Sequence, residues 1–222
     1  MPPPPPQALA LAWPALAKEV AVDVGHYAAE PGVISASGVP EFEYNLALAL
    51  QLKTELENFE STFALIGERG DYAVLYDRTA RRAGHGPVRL DPPRFGQGEP
   101  AAAGGPVLGV FAVRFRENPK LGQSLACASA IGAQLRSAGF TPSRYHADPV
   151  TGRAAALADE ANGVHYYDNL AVARTATMPS VLVEAGVIVN HEEERRMRDP
   201  QVRARIAAAV AAGVRACLAK ET

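Results

Sequence analysis

Cysteine, tryptophan and histidine are all scarce here, with 2, 1 and 5 residues in a chain of 222. Cys127 and Cys217 lie far apart with no C-x-x-C spacing. Each falls in an alanine-rich helical pattern, where a small thiol packs well, so both are expected as buried core thiols, with an isolated disulfide as the alternative. An excess of charge is missing too. The 22 basic and 24 acidic residues leave a net charge of -2, so no summed positive field exists to draw in nucleic acid or an anionic membrane. No stretch approaches the roughly 20 apolar residues of a membrane span.

What is present suits one domain with a sizeable core, since 48% of the residues are hydrophobic. Residues 1–18 are expected to be a disordered leader or the remnant of a secretory signal. Residues 2–6 are all proline, and the apolar segment after them reaches Ala15-Leu16-Ala17, a small-residue pattern like a cleavage site, but no basic n-region precedes it. Residues 19–220 form the domain.

Val20-Ala21-Val22-Asp23-Val24 reads as a buried strand ending at Gly25. A loop follows, and the spacing of Leu46, Leu50, Leu52 and Leu56 predicts an amphipathic helix over 41–60. Phe63 to Ile66 reads as a second strand and Asp71 to Arg82 as a short helix. Helical spacing returns at 124–137, where Leu125, Ala128, Ile131 and Leu135 share a face and Gly139 stands where a C-terminal cap belongs. Ser180 to Glu184 is a late strand, and 200–220 is a closing alanine-rich helix. Strands alternating with helices imply an α/β, three-layer domain with a mainly parallel central sheet and helices on both faces. Chemistry is then expected at the strand ends.

One segment breaks the pattern. From His85 to Phe115, eleven of thirty-one residues are Gly or Pro. It reads as a long, mostly irregular loop, in which Val107 to Phe115 is the apolar run able to pair in a sheet.

His26 follows the first strand and lies fifteen residues before Glu41, which opens a helix. Imidazole nitrogen and carboxylate oxygen suit zinc. Alone, the pair is weak: a histidine after a strand is more often a surface residue, and a glutamate in a first turn usually answers the helix dipole. Glu184 adds a carboxylate at the end of an apolar strand, the place of a general base facing a cleft. His165, beside Tyr166 and Tyr167, reads as hydrogen-bonded packing or a groove wall. Glu43 points away from Glu41, and His191 to Glu194 reads as a solvated helix start whose acids favour the dipole.

Three blocks carry a resemblance: Val22-Asp23-Val24-Gly25-His26, Gly38-Val39-Pro40-Glu41-Phe42-Glu43-Tyr44-Asn45-Leu46, and Met178-Pro179-Ser180-Val181-Leu182-Val183-Glu184-Ala185-Gly186-Val187-Ile188-Val189-Asn190. In order and spacing, with Ile66-Gly67-Glu68-Arg69 and Leu75-Tyr76-Asp77-Arg78-Thr79 between them, they resemble the zinc-dependent N-acetylmuramoyl-L-alanine amidases. The resemblance implies that His26 and Glu41 are zinc ligands and Glu184 the catalytic carboxylate. It also implies a peptidoglycan glycopeptide as substrate, a periplasmic or cell-envelope location, and an activator protein as a further partner. The family's second histidine ligand, in a strand reading S-I-H, has no counterpart among the blocks. The alternative function is therefore a catalytically impaired wall-binding module; another zinc peptidase on a similar sheet is a third reading.

The absent strand can be read one base out of frame. Codons permitted for Gly84 to Glu99, with one base dropped after the first codon, read G-T-D-L-F-V-S-I-H-H-D-S-V-K-E, and Val110 to Phe115 can likewise read Y-S-L-F-V-S. One base gained near His85 and one lost near Arg116 would restore the frame. Residues 85 to about 115 are thus expected to be a frame-shifted substitute for a core strand and its histidine, leaving His85 as the nearest replacement and, more naturally, an exposed loop residue.

Overall fold

Valines at alternate positions build the first strand, because β-branched side chains fit a pleated surface buried on both faces. In the computed structural model this strand is β1, Glu19–Asp23. The structure describes residues 19–59, 62–70, 86–90, 107–112, 120–143, 156–166 and 176–219. The elements that follow are α1 (Glu41–Glu57), β2 (Thr62–Ile66), β3 (Gly86–Leu90), β4 (Val107–Ala112), α2 (Leu121–Ser137) and β5 (Thr141–Pro142). The chain ends with β6 (Leu157–Asp159), β7 (Val164–Tyr166), β8 (Val181–Glu184), α3 (His191–Arg198) and α4 (Pro200–Ala219). The helix expected over 71–82 lies outside the described residues.

The sheet runs β2-β1-β3-β8-β4-β7-β6, with β5 paired to β4. Neighbours from β2 to β8 are parallel, as are β4 with β7 and β4 with β5; β4 with β8 and β6 with β7 are antiparallel. This is the expected α/β, mainly parallel arrangement. Both faces are covered: Val20, Val22 and Val183 join the main core cluster, while Ala21 and Leu182, pointing the other way, are buried as well.

Within 85–115, expected to be mostly irregular, the described residues form two strands, and the rest of the segment lies outside the described residues. Gly86–Leu90 fills the slot between β1 and β8, so that slot is closed by backbone pairing. Val107–Ala112, the run expected to pair there, instead lies on the other side of β8. Backbone hydrogen bonding explains the occupancy, because a gap there would strand the unpaired amides of two parallel neighbours. Even Pro87 sits in β3, opposite Ala21.

α1, α2 and α4 supply most of the helical core. Leu52, Leu56, Ile131 and Ile206 are among its largest fully buried side chains. Each contributes about 1.5 to 3 kcal/mol by leaving water, which outweighs the missing side-chain cap at Pro40. On α1 the buried set is Glu41, Tyr44, Asn45, Leu48, Ala49, Leu52 and Leu56. Leu50, expected on the apolar face, is exposed instead, because at 100° per residue it lies nearly opposite Leu48 and Leu52. α2 and α4 approach closely at Gly213, where any Cβ would run into the backbone of Ile131. That approach brings the Cα atoms of Cys127 and Cys217 to 4.8 Å, and the two are joined as a disulfide. The expectation of two buried thiols is corrected accordingly.

Candidate active site

Parallel strands end on one edge, and the candidate residues gather there. After β1 the chain turns at Gly25, whose amide donates to the buried Asp23 Oδ1 at 2.8 Å. His26 comes next, with its ring largely buried. Its Nδ1 faces the carbonyl oxygen of Glu30 at 3.2 Å. A carbonyl only accepts, so Nδ1 carries a proton and Nε2 is turned toward Glu41. The His26 Nε2 to Glu41 Oε1 distance is 2.7 Å.

Glu41 is fully buried in the first turn of α1. Its backbone amide donates to Val33 O at 2.8 Å, and its Oε2 accepts from the Val33 amide, also at 2.8 Å. This reciprocal pair fixes the carboxylate and leaves Oε1 for His26. Gly32 makes room for it. A Cβ there would stand 2.7 Å from Glu41 Cδ and would strike Oε2, and its φ of +85° disfavours any other residue.

Glu184 closes β8 and is 8% exposed. Asp23 pairs with Arg89, and Arg89 with Leu182. Glu184, two residues past Leu182, is thus level with Gly25, two past Asp23, with one strand between, or about 10 Å across the sheet. The structure therefore sets Glu184 on the same edge as the His26–Glu41 pair.

The donor set of that pair matches zinc in type. Nδ1 bonded to a carbonyl with Nε2 facing an acidic oxygen is the arrangement metal-bound histidines use, and Gly32 forms the cradle for the second donor. The fit extends to two ligands. Among the described residues no group of three His, Cys, Asp or Glu is placed to hold a metal. His85 and His146 lie outside the described residues. His165 is fully buried and hydrogen-bonded at Nε2 to Ser143 O, 2.8 Å away, as packing would have it. His191 and Glu43 are exposed.

The helix start at 191–194 is corrected by the structure: it is not solvated throughout. Asn190 caps α3, accepting from the amides of Glu192 and Glu193. Glu193 and Glu194 are buried, Glu194 at 3% exposure. Glu194 Oε1 accepts hydroxyl hydrogen bonds from Ser35 at 2.8 Å, from Tyr44 at 2.7 Å and from Ser37. Burial pushes its carboxyl up, but the hydroxyls of Ser37, Tyr44 and Ser35 and the Arg198 charge outweigh that and hold it below the ordinary value. Burial, with the bond to Glu194, raises the Tyr44 hydroxyl. Sequence reasoning missed this cluster. The one available sign was Ser35 and Ser37 ahead of a tyrosine in α1, which names no partner.

Residues 107–216 match the family model described as N-acetylmuramoyl-L-alanine amidase. The matched segment contains Glu184 and leaves His26 and Glu41 outside it. A search of curated proteins found no match. Among solved structures, the N-acetylmuramyl-L-alanine amidase Ami1 from Mycobacterium smegmatis is similar at a TM-score of 0.74 and 20% identity, over 91% of this chain and 97% of that one. The N-acetylmuramoyl-L-alanine amidase from Clostridium difficile 630 is similar at 0.74 and 18%, over 94% and 100%. The CwlD amidase from Clostridioides difficile, solved in complex with the GerS lipoprotein, is similar at 0.68 and 18%, over 91% and 99%. The matched segment, 110 of the 222 residues, is thus similar to the N-acetylmuramoyl-L-alanine amidase family, and it sits in a fold shared with solved amidases of that name.

Proposed function

We propose that the chain hydrolyses the amide bond between N-acetylmuramic acid and L-alanine in peptidoglycan, in a zinc-dependent reaction. The observation that carries the reading is the 2.7 Å approach of His26 Nε2 to Glu41 Oε1 on the sheet edge that also ends in Glu184. His26 and Glu41 would hold the zinc. When bound, zinc would supply a Lewis acid for the scissile carbonyl and would lower the pKa of a water at the site toward neutrality. Glu184 takes a proton from the attacking water and returns it to the leaving amine of L-alanine. Its slight exposure suits a carboxylate that lines a cleft and meets solvent-borne substrate.

One observation favours a second reading. With two metal-type donors brought together among the described residues, and three protein ligands the norm for catalytic zinc, a wall-binding module of impaired catalysis keeps the groove without full turnover. The experiment is hydrolysis of intact peptidoglycan by the full chain, read as new L-alanine amino termini, with zinc present and after chelation. Zinc-dependent release supports the enzyme. Binding to peptidoglycan without release supports the module, and hydrolysis of free peptides lacking the sugar overturns the substrate assignment.

Peptidoglycan lies outside the cytoplasmic membrane, so this function puts the chain in the periplasm or cell envelope. The Cys127–Cys217 disulfide supports that, since such bonds persist in oxidising compartments. The complex of CwlD with the GerS lipoprotein supports an accessory protein as a partner here also.

A further inference from the structure

We propose that Glu194 is a positioning residue for the amide-hydrolysing site, fastening the loop that presents Glu41 to the segment that follows Glu184. The inference rests on the function proposed above, and its structural half can be tested apart from it.

Two stretches of chain meet at Glu194. One leaves β8 at Glu184, passes Ile188 and reaches the Asn190 cap of α3, and the amide of Glu194 donates to Asn190 O at 2.8 Å. The other is the loop from Val33 to Val39, bonded at Val33 to both the amide and the carboxylate of Glu41. Ser35 and Ser37 of this loop, with Tyr44 of α1, donate their hydroxyls to Glu194 Oε1. The donors are themselves tied: Ser35 Oγ accepts from the Val39 amide at 2.9 Å, and Ser37 Oγ accepts from Arg198 Nη1 at 3.1 Å. Each serine hydroxyl therefore receives one proton and sends its own to Glu194, an assignment that a hydroxyl satisfies in full. Close by, the Ala36 amide donates to Ile188 O at 2.9 Å.

Packing alone gives no reason for a carboxylate here. Burying one costs solvation that an apolar side chain of similar size would not lose. What the carboxylate adds is direction: two charge-assisted bonds from the loop and a third from Tyr44 of α1 hold the loop to α3, and the loop sets Glu41.

The test compares the full chain with Glu194→Ala and Glu194→Gln by amide hydrogen exchange and by kinetics. In Glu194→Ala, exchange at Val33 and Val39 is expected to quicken about tenfold or more, since a bond to a charged acceptor is lost, while the β8 amides keep their protection. Turnover should fall about tenfold to a hundredfold with KM little changed, the mark of lost positioning rather than lost binding. Glu194→Gln keeps an acceptor oxygen and should recover part of both. Unchanged exchange at Val33 and Val39 in folded Glu194→Ala overturns the proposal, as does equal loosening throughout the molecule. Should Glu194→Ala fail to fold, the double variant Ser35→Ala, Ser37→Ala removes the loop's two donors and must show the same local opening, and no local opening there overturns the proposal too. The exchange result reads the fastening even if the chain turns over no substrate, so failure of the amidase reading and of this one are told apart.

Discussion

His26 Nε2 and Glu41 Oε1 stand 2.7 Å apart, one side chain hanging beyond the end of β1 and the other opening α1. The sheet edge and the Val33 clamp hold them there, so each is expected to be a zinc donor that the other cannot replace. His26→Ala or Glu41→Ala should weaken zinc binding at least about tenfold, as even the loss of a ligand's supporting group does, read by competition with a chromophoric chelator. Glu41→Ala also strips the Val33 amide of its acceptor, a cost of about 1 to 3 kcal/mol that a urea midpoint will show. Unaltered zinc affinity in both variants would remove the site.

Glu184 is expected to move protons without holding the metal. Glu184→Gln keeps its shape and place at the end of β8, so turnover should drop about 10² to 10⁴-fold with zinc content and melting temperature unchanged. Activity that survives the change would assign the proton to another group.

The segment at 85–115 is expected to set how much activity the chain has. In the shifted reading D-L-F-V-S falls on Gly86–Leu90, the strand that lies between β1 and β8, and the first histidine falls at position 92, now Pro92. Rebuilding the segment with its S-I-H-H-D block is expected to raise zinc affinity about tenfold or more and turnover with it, since three protein ligands make the usual catalytic site. Equal affinity for the two chains, or resequencing that upholds the present reading together with full activity, would show the shift to be irrelevant.

Stability should sag in acid through Glu194. Its carboxyl is held below the ordinary value of 4.5 in the folded chain, so the unfolded chain takes up the proton first as pH falls. The stabilisation is complete above about 4.5 and is lost as pH drops through the lower folded value. Urea midpoints for the parent chain should decline across that window more steeply than those of Glu194→Gln, which has no proton to gain. Parallel curves would show that the carboxylate carries no such linkage.

Local pattern determined the elements that bury a continuous apolar set. Valines at alternate positions mark β1, and small and aliphatic residues at helical spacing mark α2 and α4, because strand and helix each impose one period on whatever is buried. Residue type and position raised His26, Glu41 and Glu184 only as weak candidates, and the resemblance of the three sequence blocks gave them their expected roles. Tertiary structure decided everything that depends on distance across the chain. It joined Cys127 to Cys217 over a separation of 90 residues, which helical pattern cannot show. It put Gly86–Leu90 between β1 and β8, a place that Gly and Pro argue against and that only the unmet hydrogen bonds of two neighbouring strands require. It turned Leu50 to solvent and buried Glu194 under three hydroxyls from 150 or more residues away. A charge in a helix's first turn reads as solvated until the partners that desolvate it are known, and those partners are brought to it by the fold.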